Sequence, residues 1–299
     1  MSTTTSADSH QGEIVCDRGL RAFLDGLESD SSLFQPEQLH ERLAALDDLD
    51  ARFGWFDSHE STPRRAKVLQ TRLEAANTEL YRSVRSEIVR GGRPRTFLQW
   101  LQRSAKQDAS ESRLPGLGFD WRDELVSGVL QLREPSEPDR HGSLEMVRYQ
   151  PTPARHILRL IGTAALSHDD VFVDLGSGLG HVPLLVSMLT GVRSLGIEVQ
   201  HAYVASAQEC AQSLHLSHVR FIQEDVREAD LSCGTVFYLY SPFTGSILTD
   251  VLSTLRMEST FRSIKICSLG PCTHTVANET WLKASAQSDP EHITVFDSQ

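Results

Sequence analysis

The spacing of hydrophobic residues changes character about halfway along the chain. In the first half, apolar residues recur every three or four positions without strand-like alternation, which is the period of an amphipathic helix. This pattern predicts a helix after Pro36, a longer one over 63–90 that ends at Gly91 and Gly92, and shorter ones over 96–105 and 120–132. Asp120 is a suitable N-cap for the helix predicted over 120–132. The inner stripe of the first helix is predicted to be Leu39, Leu43, Leu46, Leu49 and Phe53.

In the second half, apolar runs of five to eight residues alternate with helical stretches. The runs are VFVDLG, SLGIEV, VRFIQED, TVFYLYS, SIKICSLG and HITVFDS. Such alternation indicates βα units and a mainly parallel sheet covered on both faces. The sequence therefore predicts an α/β protein with a Rossmann-like sheet, preceded by an all-helical N-terminal domain.

Domain limits are predicted from local composition. The segment REPSEPDRHG at 133–142 concentrates proline and charge, as expected where few contacts cross between units. We therefore predict a disordered tail at 1–14, a helical domain at 15–135 and the α/β domain at 136–299.

Composition excludes several classes of protein. The 299 residues carry a net charge of −11, which disfavours a surface-wide affinity for nucleic acid or anionic lipid. The longest nearly apolar stretch, VPLLVSMLT, falls far short of the roughly 20 residues of a membrane span. The five cysteines form no CxxC pair and the N-terminus resembles no targeting signal, so we predict a cytoplasmic protein without a disulfide framework or zinc site.

Charge is unevenly distributed. Residues 1–63 have a net charge of −9, whereas residues 64–103 hold ten basic and three acidic residues. The basic stretch can meet an acidic partner, although a solvated helix face is the preferred interpretation.

The strongest chemical signal is the segment VFVDLGSGLGHV at 171–182. A buried strand ends there in Asp174, turns through Gly176, Gly178 and Gly180, and opens a helix. Glycines allow positive φ and close approach of a ligand to the main chain, and the free N–H groups of a helix start attract an anionic group.

Two further acids follow the next strands. Glu198 ends the second strand, 24 residues after Asp174, where it can accept hydrogen bonds from a ribose. Asp225 ends the third strand, where it can meet the amino group of adenine. Because the glycine spacing is GxGxG, a nicotinamide or flavin dinucleotide is disfavoured.

These residues resemble the cofactor site of class I S-adenosylmethionine (SAM) methyltransferases, over roughly residues 145–299. The resemblance implies that Gly176, Ser177, Gly178 and Gly180 hold the methionine part of SAM, that Glu198 holds the ribose, and that Asp225 with Val226 contacts adenine. It also implies a seven-strand sheet whose last strand is antiparallel and joined to its neighbour by a hairpin.

A narrower similarity connects the lead-in YQPTPARHILRLI and the segment FYLYSPFTG to non-SET histone lysine methyltransferases and other protein-lysine methyltransferases. It implies that the lead-in residues Tyr149, Gln150 and Thr152 close over the methionine carboxylate. This chain departs from the histone enzymes at Tyr240 and Ser241, where they have two asparagines, and at His181, where they have glutamine. It also lacks their basic tail.

The methyl group of SAM needs no metal for transfer, because its leaving group is a neutral thioether. An aromatic channel lowers the pKa of an ammonium by desolvation, and the fourth strand and the residues after it offer such a wall in Tyr238, Tyr240 and Phe243. Tyr238 and Tyr240 project to the same face of a strand and can equally cover a helix. The candidate catalytic residues are Tyr240, Ser241 and Phe243. A protein side chain, such as that of lysine, is the preferred acceptor. A small molecule is the alternative, with nucleic acid or a non-catalytic SAM-binding module less favoured and no membrane partner expected.

Overall fold

The structure is a computed structural model that describes residues 7–53, 61–91, 94, 97–101, 118–135, 145–147 and 149–299. These residues form two compact units, Met1–Ser83 and Val84–Gln299. Within the described ranges, no helix is long and apolar enough to cross a membrane.

The first unit is helical. It contains α1 (Ala7–Ser29), α2 (Leu39–Phe53) and most of α3 (Ser61–Val89), with two short 3-10 helices between α1 and α2. A core of leucine, alanine and phenylalanine side chains joins these elements, including Leu24, Leu49 and Leu73. The helical character predicted for the first half is therefore present. However, the segment predicted as a disordered tail over 1–14 is helical from Ala7 onward.

The buried face of α2 differs from the predicted stripe. Leu39, Leu49 and Phe53 are buried as expected, but Leu43 and Leu46 are only half-buried, and Arg42 is fully buried in their place. The Arg42 guanidinium donates to Asn77 Oδ1 at 2.5 Å and to the Leu33 carbonyl at 2.6 Å. The buried carbonyl and amide oxygens need donors, and arginine supplies several from one side chain.

The division between the two units lies within α3, about 50 residues before the predicted boundary at 135 and 136. The reason is the packing of α4 (Trp121–Leu130), which belongs to the second unit. Its Asp123 carboxylate accepts a hydrogen bond from the Ala154 amide at 2.7 Å, and the Leu130 carbonyl accepts one from the Cys210 thiol at 3.2 Å. Asp120 caps α4 as predicted, in a capping box with Asp123. Residues 97–101 are helical, and the rest of the helix predicted over 96–105 lies outside the described residues.

The second unit contains a seven-strand sheet of order β3-β2-β1-β4-β5-β7-β6. Strands β1 to β5 are parallel, and β7 is antiparallel to both of its neighbours. The helices α4 (Trp121–Leu130) and α5 (Ala154–Thr163) precede the sheet. The remaining elements are β1 (Val171–Leu175), α6 (His181–Thr190), β2 (Arg193–Glu198), α7 (His201–Ser213), β3 (Val219–Gln223), β4 (Val236–Tyr240), α8 (Gly245–Ser259), β5 (Lys265–Leu269), α9 (Cys272–Ala277), β6 (Leu282–Ala284) and β7 (Thr294–Ser298).

The fold class predicted from the alternating pattern is confirmed. All six apolar runs of the second half contain strands, and the closing hairpin implied by the resemblance is formed by β6 and β7. Strands β1 and β4 are almost wholly buried, because helices cover both faces of the sheet. Their carboxyl ends face the same edge, which is where an open α/β sheet binds ligands.

Candidate active site

The glycine loop between β1 and α6 is held against the end of β2. The backbone amides of Gly176 and Ser177 both donate to the Ile197 carbonyl at 2.9 Å. Gly176, Gly178 and Gly180 all have positive φ, as the predicted turn requires. A Cβ on Gly178 would lie 2.1 Å from Tyr149 Cε2, so the close approach of the Tyr149 ring demands glycine there.

Glu198 fixes the same loop. Its Oε2 accepts a hydrogen bond from the Gly178 amide and its Oε1 accepts one from the Gln200 amide, both at 2.9 Å. Each carboxylate oxygen has a second lone pair, so both oxygens can still accept hydroxyl hydrogens from a ligand.

Asp174 lies at the end of β1 and is almost fully buried. Burial raises the pKa of its carboxyl well above the usual range, and the neighbouring Glu198 raises it further. Burial raises the pKa of Glu198 as well, although its backbone hydrogen bonds oppose that shift. Two desolvated acids side by side favour a ligand that carries positive charge.

Asp225 is placed at the carboxyl end of the sheet as predicted, but its carboxylate already has a partner. Arg227 donates to it through Nη2 at 2.6 Å and Nε at 3.0 Å, which lowers the pKa of Asp225. This arginine lies only two residues away and was not singled out from the sequence. The adenine contact that the resemblance implies for Asp225 stays a prediction, and it would have to share this carboxylate with Arg227.

A cavity of about 360 Å³ joins these groups. Most of the predicted site residues line it, including the acids, the lead-in residues and two of the three candidate catalytic residues. They are Tyr149, Gln150, Thr152, Asp174, Gly176, Ser177, Glu198, Asp225, Val226, Tyr240 and Phe243. Gly178 and Gly180 support the cavity from behind, through the Glu198 bond and the start of α6.

Ser241 is not part of the cavity wall, contrary to its prediction as a catalytic residue. Its φ of 41° turns the chain after β4, and its buried hydroxyl accepts a hydrogen bond from the Cys272 amide at 2.9 Å. The same hydroxyl donates to the Leu269 carbonyl at 3.3 Å. Ser241 therefore joins the ends of β4 and β5 and has a structural role.

The wall beside Tyr240 is built from two segments of the chain. Residues 145–147 run antiparallel to residues 242–244, with the Val147 amide donating to the Pro242 carbonyl at 3.1 Å. This pairing places Met146 and Phe243 next to each other on the cavity wall. The Tyr240 hydroxyl is buried and finds no hydrogen-bond partner among the described residues.

Two further tyrosines line the cavity. Tyr203, in the first turn of α7, packs against Tyr149 with ring centroids 5.0 Å apart and the ring planes tilted by 47°. It was missed from the sequence, because no spacing signal distinguishes it from an ordinary core residue. Tyr238, predicted as part of the aromatic wall, is buried, and its hydroxyl lies 3.2 Å from Thr152 Oγ1.

The site has the features that SAM binding requires. The buried Ser177 hydroxyl lines the cavity and has no hydrogen-bond partner among the described residues, so it is available to a ligand. Asp174 and Glu198 suit the positive charges of SAM. The cofactor is SAM, whose activated methyl group supplies the chemistry.

The sheet order with an antiparallel β7, the glycine loop and the acids at the strand ends define a class I SAM-dependent methyltransferase. Residues 147–237 match the family described as Histone methylation protein DOT1, and this part of the chain contains the lead-in, the glycine loop and strands β1 to β3. The chain has no match among the curated proteins compared with it.

Two solved structures illustrate the similarity. An RNA methyltransferase from Salinibacter ruber, in complex with S-adenosyl-L-homocysteine, is 27% identical with a TM-score of 0.40, over 50% of this chain and 92% of that chain. A precorrin-6y C5,15-methyltransferase from Geobacter metallireducens is 14% identical with a TM-score of 0.40, over 54% of this chain and 95% of that chain.

Proposed function

We propose that this methyltransferase modifies the side-chain amine of a protein lysine. The observation that carries the proposal is the Tyr240 hydroxyl, which is buried at the cavity wall without a partner among the described residues. It can accept a hydrogen bond from an amine that enters beside Phe243. The match to a family described as acting in histone methylation supports the same class of acceptor.

The charge of the cavity disfavours a nucleic-acid acceptor. The carboxylates of Asp174, Glu198, Glu224 and Asp225 line it together with the guanidinium of Arg227. Part of this negative charge balances the positive charges of SAM, and the remainder repels the phosphates of a nucleic acid. Two of the ten basic residues of the basic stretch form ion pairs within the protein, Arg65 with Asp25 and Glu28, and Arg82 with Glu79.

The size of the cavity favours a side chain over a free metabolite. Its volume of about 360 Å³ is near the lower end of the range of roughly 300 to 1,000 Å³ for sites of drug-sized ligands. A cofactor as large as SAM takes most of that space. A narrow side chain that enters from outside fits the remainder better than a second enclosed small molecule.

The residues of the wall prepare the acceptor rather than abstract its proton. Burial raises the pKa of Tyr240, so its phenol stays neutral and acts as a hydrogen-bond acceptor. Burial lowers the pKa of His181 to about 4, so its imidazole is neutral at physiological pH. Met146, Pro242 and Phe243 exclude water, which lowers the pKa of an entering ammonium. The ammonium therefore releases its proton to the solvent as it enters, and the lone pair of the neutral amine becomes available to the methyl group.

The test combines a labelled methyl donor with the variant Tyr240→Phe. Labelled SAM is incubated with the protein and with an extract of cells that lack the gene for this protein. We expect label that resists nuclease, is released by protease and is recovered as methyl-lysine. With the identified substrate, Tyr240→Phe should lower kcat/KM by about three- to tenfold, the effect of one hydrogen bond between neutral groups.

The control is the affinity of Tyr240→Phe for S-adenosylhomocysteine, which calorimetry should find within about threefold of the unmodified protein. Label found only in a small soluble product would overturn the proposal in favour of a metabolite acceptor. The cytoplasmic location stays a prediction, and microscopy of a fluorescent fusion would test it.

A further inference from the structure

The lead-in segment is fastened to the glycine loop by a side-chain pair. The Tyr149 hydroxyl lies 3.1 Å from Nδ1 of His181, the first residue of α6. The Tyr149 ring lies over Gly178 and against the ring of Tyr203. Tyr149 is therefore held at its ring and at its hydroxyl.

Burial lowers the pKa of His181 to about 4, so its imidazole is neutral at physiological pH. When the neutral ring carries its hydrogen on Nε2, Nδ1 accepts a hydrogen bond from the Tyr149 hydroxyl; in the other tautomer Nδ1 donates to that hydroxyl. The two side chains can therefore form a hydrogen bond in either tautomer.

The pair lies between two cavities. Tyr149 and His181 both line the cofactor cavity, and both also line a second cavity of about 220 Å³ that includes Phe119, Asp123 and Leu179. Loss of the bond would free the Tyr149 side chain to move and would let the two cavities merge. The end of the site formed by the glycine loop would then lose one wall.

From this geometry we infer that His181 is a positioning residue for cofactor binding, which acts by holding the Tyr149 hydroxyl and thus closing the lead-in segment over the glycine loop. The inference is independent of the acceptor, because both side chains act at the cofactor end of the site. The pair joins positions 32 residues apart, and neither residue alone would provide the closure.

A double-mutant cycle tests the inference with S-adenosylhomocysteine as the probe. Tyr149→Phe keeps the ring over Gly178 and removes only the hydroxyl, while His181→Leu removes its hydrogen-bond partner. Each single variant should weaken binding by roughly three- to tenfold, the effect of one neutral hydrogen bond. The double variant should be no weaker than either single one, because both remove the same bond.

Rescue and a matched control complete the design. His181→Gln retains a polar acceptor at this position and should recover most of the lost affinity. His201→Leu removes an exposed histidine whose Nδ1 lies 3.0 Å from Gln223 Oε1, outside the cavity wall, and should leave the affinity unchanged. In steady-state assays with the identified acceptor, His181→Leu should raise KM for SAM while kcat falls less than twofold.

Two outcomes would overturn the inference. Additive losses in the double variant would show that His181 and Tyr149 contact the cofactor separately. Unchanged affinity in both single variants, with thermal unfolding confirming that they fold, would show that the bond does not contribute to closure. Both outcomes are measured without a methyl acceptor, so they are distinct from failure to find a protein substrate.

Discussion

Replacement of Glu198 by glutamine separates the two tasks assigned to this carboxylate. In the structure it accepts one backbone hydrogen bond from Gly178 and one from Gln200, each at 2.9 Å. A glutamine side chain has the same shape but offers one carbonyl oxygen and one NH₂ group. One of the two backbone donors would therefore face another donor, and the ribose hydroxyls would lose a charged acceptor.

The two losses differ in magnitude. A hydrogen bond to a charged group contributes about 1.5 to 3 kcal/mol, so the affinity for S-adenosylhomocysteine should fall by about 10- to 100-fold. Stability should fall less, by below about 2 kcal/mol, because the substitution also removes a buried charge. The raised pKa of Glu198 shows that this burial is unfavourable for the ionised form. Removal of the buried charge therefore offsets part of the loss of stability. It does not offset the loss of affinity, because the charge is absent from the variant both with and without the ligand.

Titration calorimetry with S-adenosylhomocysteine and thermal unfolding without ligand measure the two effects. The control is Glu228→Gln, which removes an exposed charge in the turn after β3 without touching the glycine loop, and should change the affinity by less than about twofold. Affinity within twofold of the unmodified protein for Glu198→Gln, together with a lowered Tm, would refute the reasoning. Glu198 would then only hold the loop, and the ribose would bind elsewhere.

Two further predictions concern other parts of the fold. Burial lowers the pKa of His156 to about 4; since this is below its unfolded value, stability is lost as pH falls from about 6.5 towards 4. Urea unfolding measures the change in the free energy of unfolding between pH 7 and pH 5, and this change should be about 2 kcal/mol smaller in His156→Leu. An equal change in both proteins would mean that His156 takes up its proton in the folded protein as readily as in the unfolded one. Arg85 donates to the Val129 carbonyl at the end of α4 and to Ser213 Oγ, so Arg85→Met should lower the free energy of unfolding by about 1 to 3 kcal/mol. The exposed Arg82 should tolerate the same change within about 0.5 kcal/mol, and equal effects of the two variants would contradict this distinction.

The regular parts of the fold were predictable because they depend on local periodicity. The strands of the parallel sheet are continuous apolar runs, and each ends near a glycine, an acid or a polar turn. Asp174, Glu198 and Asp225 were predictable for the same reason, since the topology of parallel strands brings their carboxyl ends to one edge. The cavity contains all three.

Pairings between distant residues were not predictable. Nothing in the local sequence shows that Tyr149 meets His181, or that Arg42 is buried against Asn77. Ser241 illustrates a second reason, because its backbone conformation, with φ of 41°, turns its hydroxyl away from the cavity. Strand spacing places such a residue near a site but does not decide which way its side chain points.

The ends of the sheet have a consequence for the behaviour of the protein at high concentration. Strand β3 and the three-residue strand β6 are the two edges, and an edge strand can pair with another chain. Exposed cations lie on both, Arg220 on β3 and Lys283 on β6. A second molecule that added a strand at either edge would bring two like charges together. Short, charged edges therefore oppose the growth of intermolecular sheets, which favours solubility during expression and concentration.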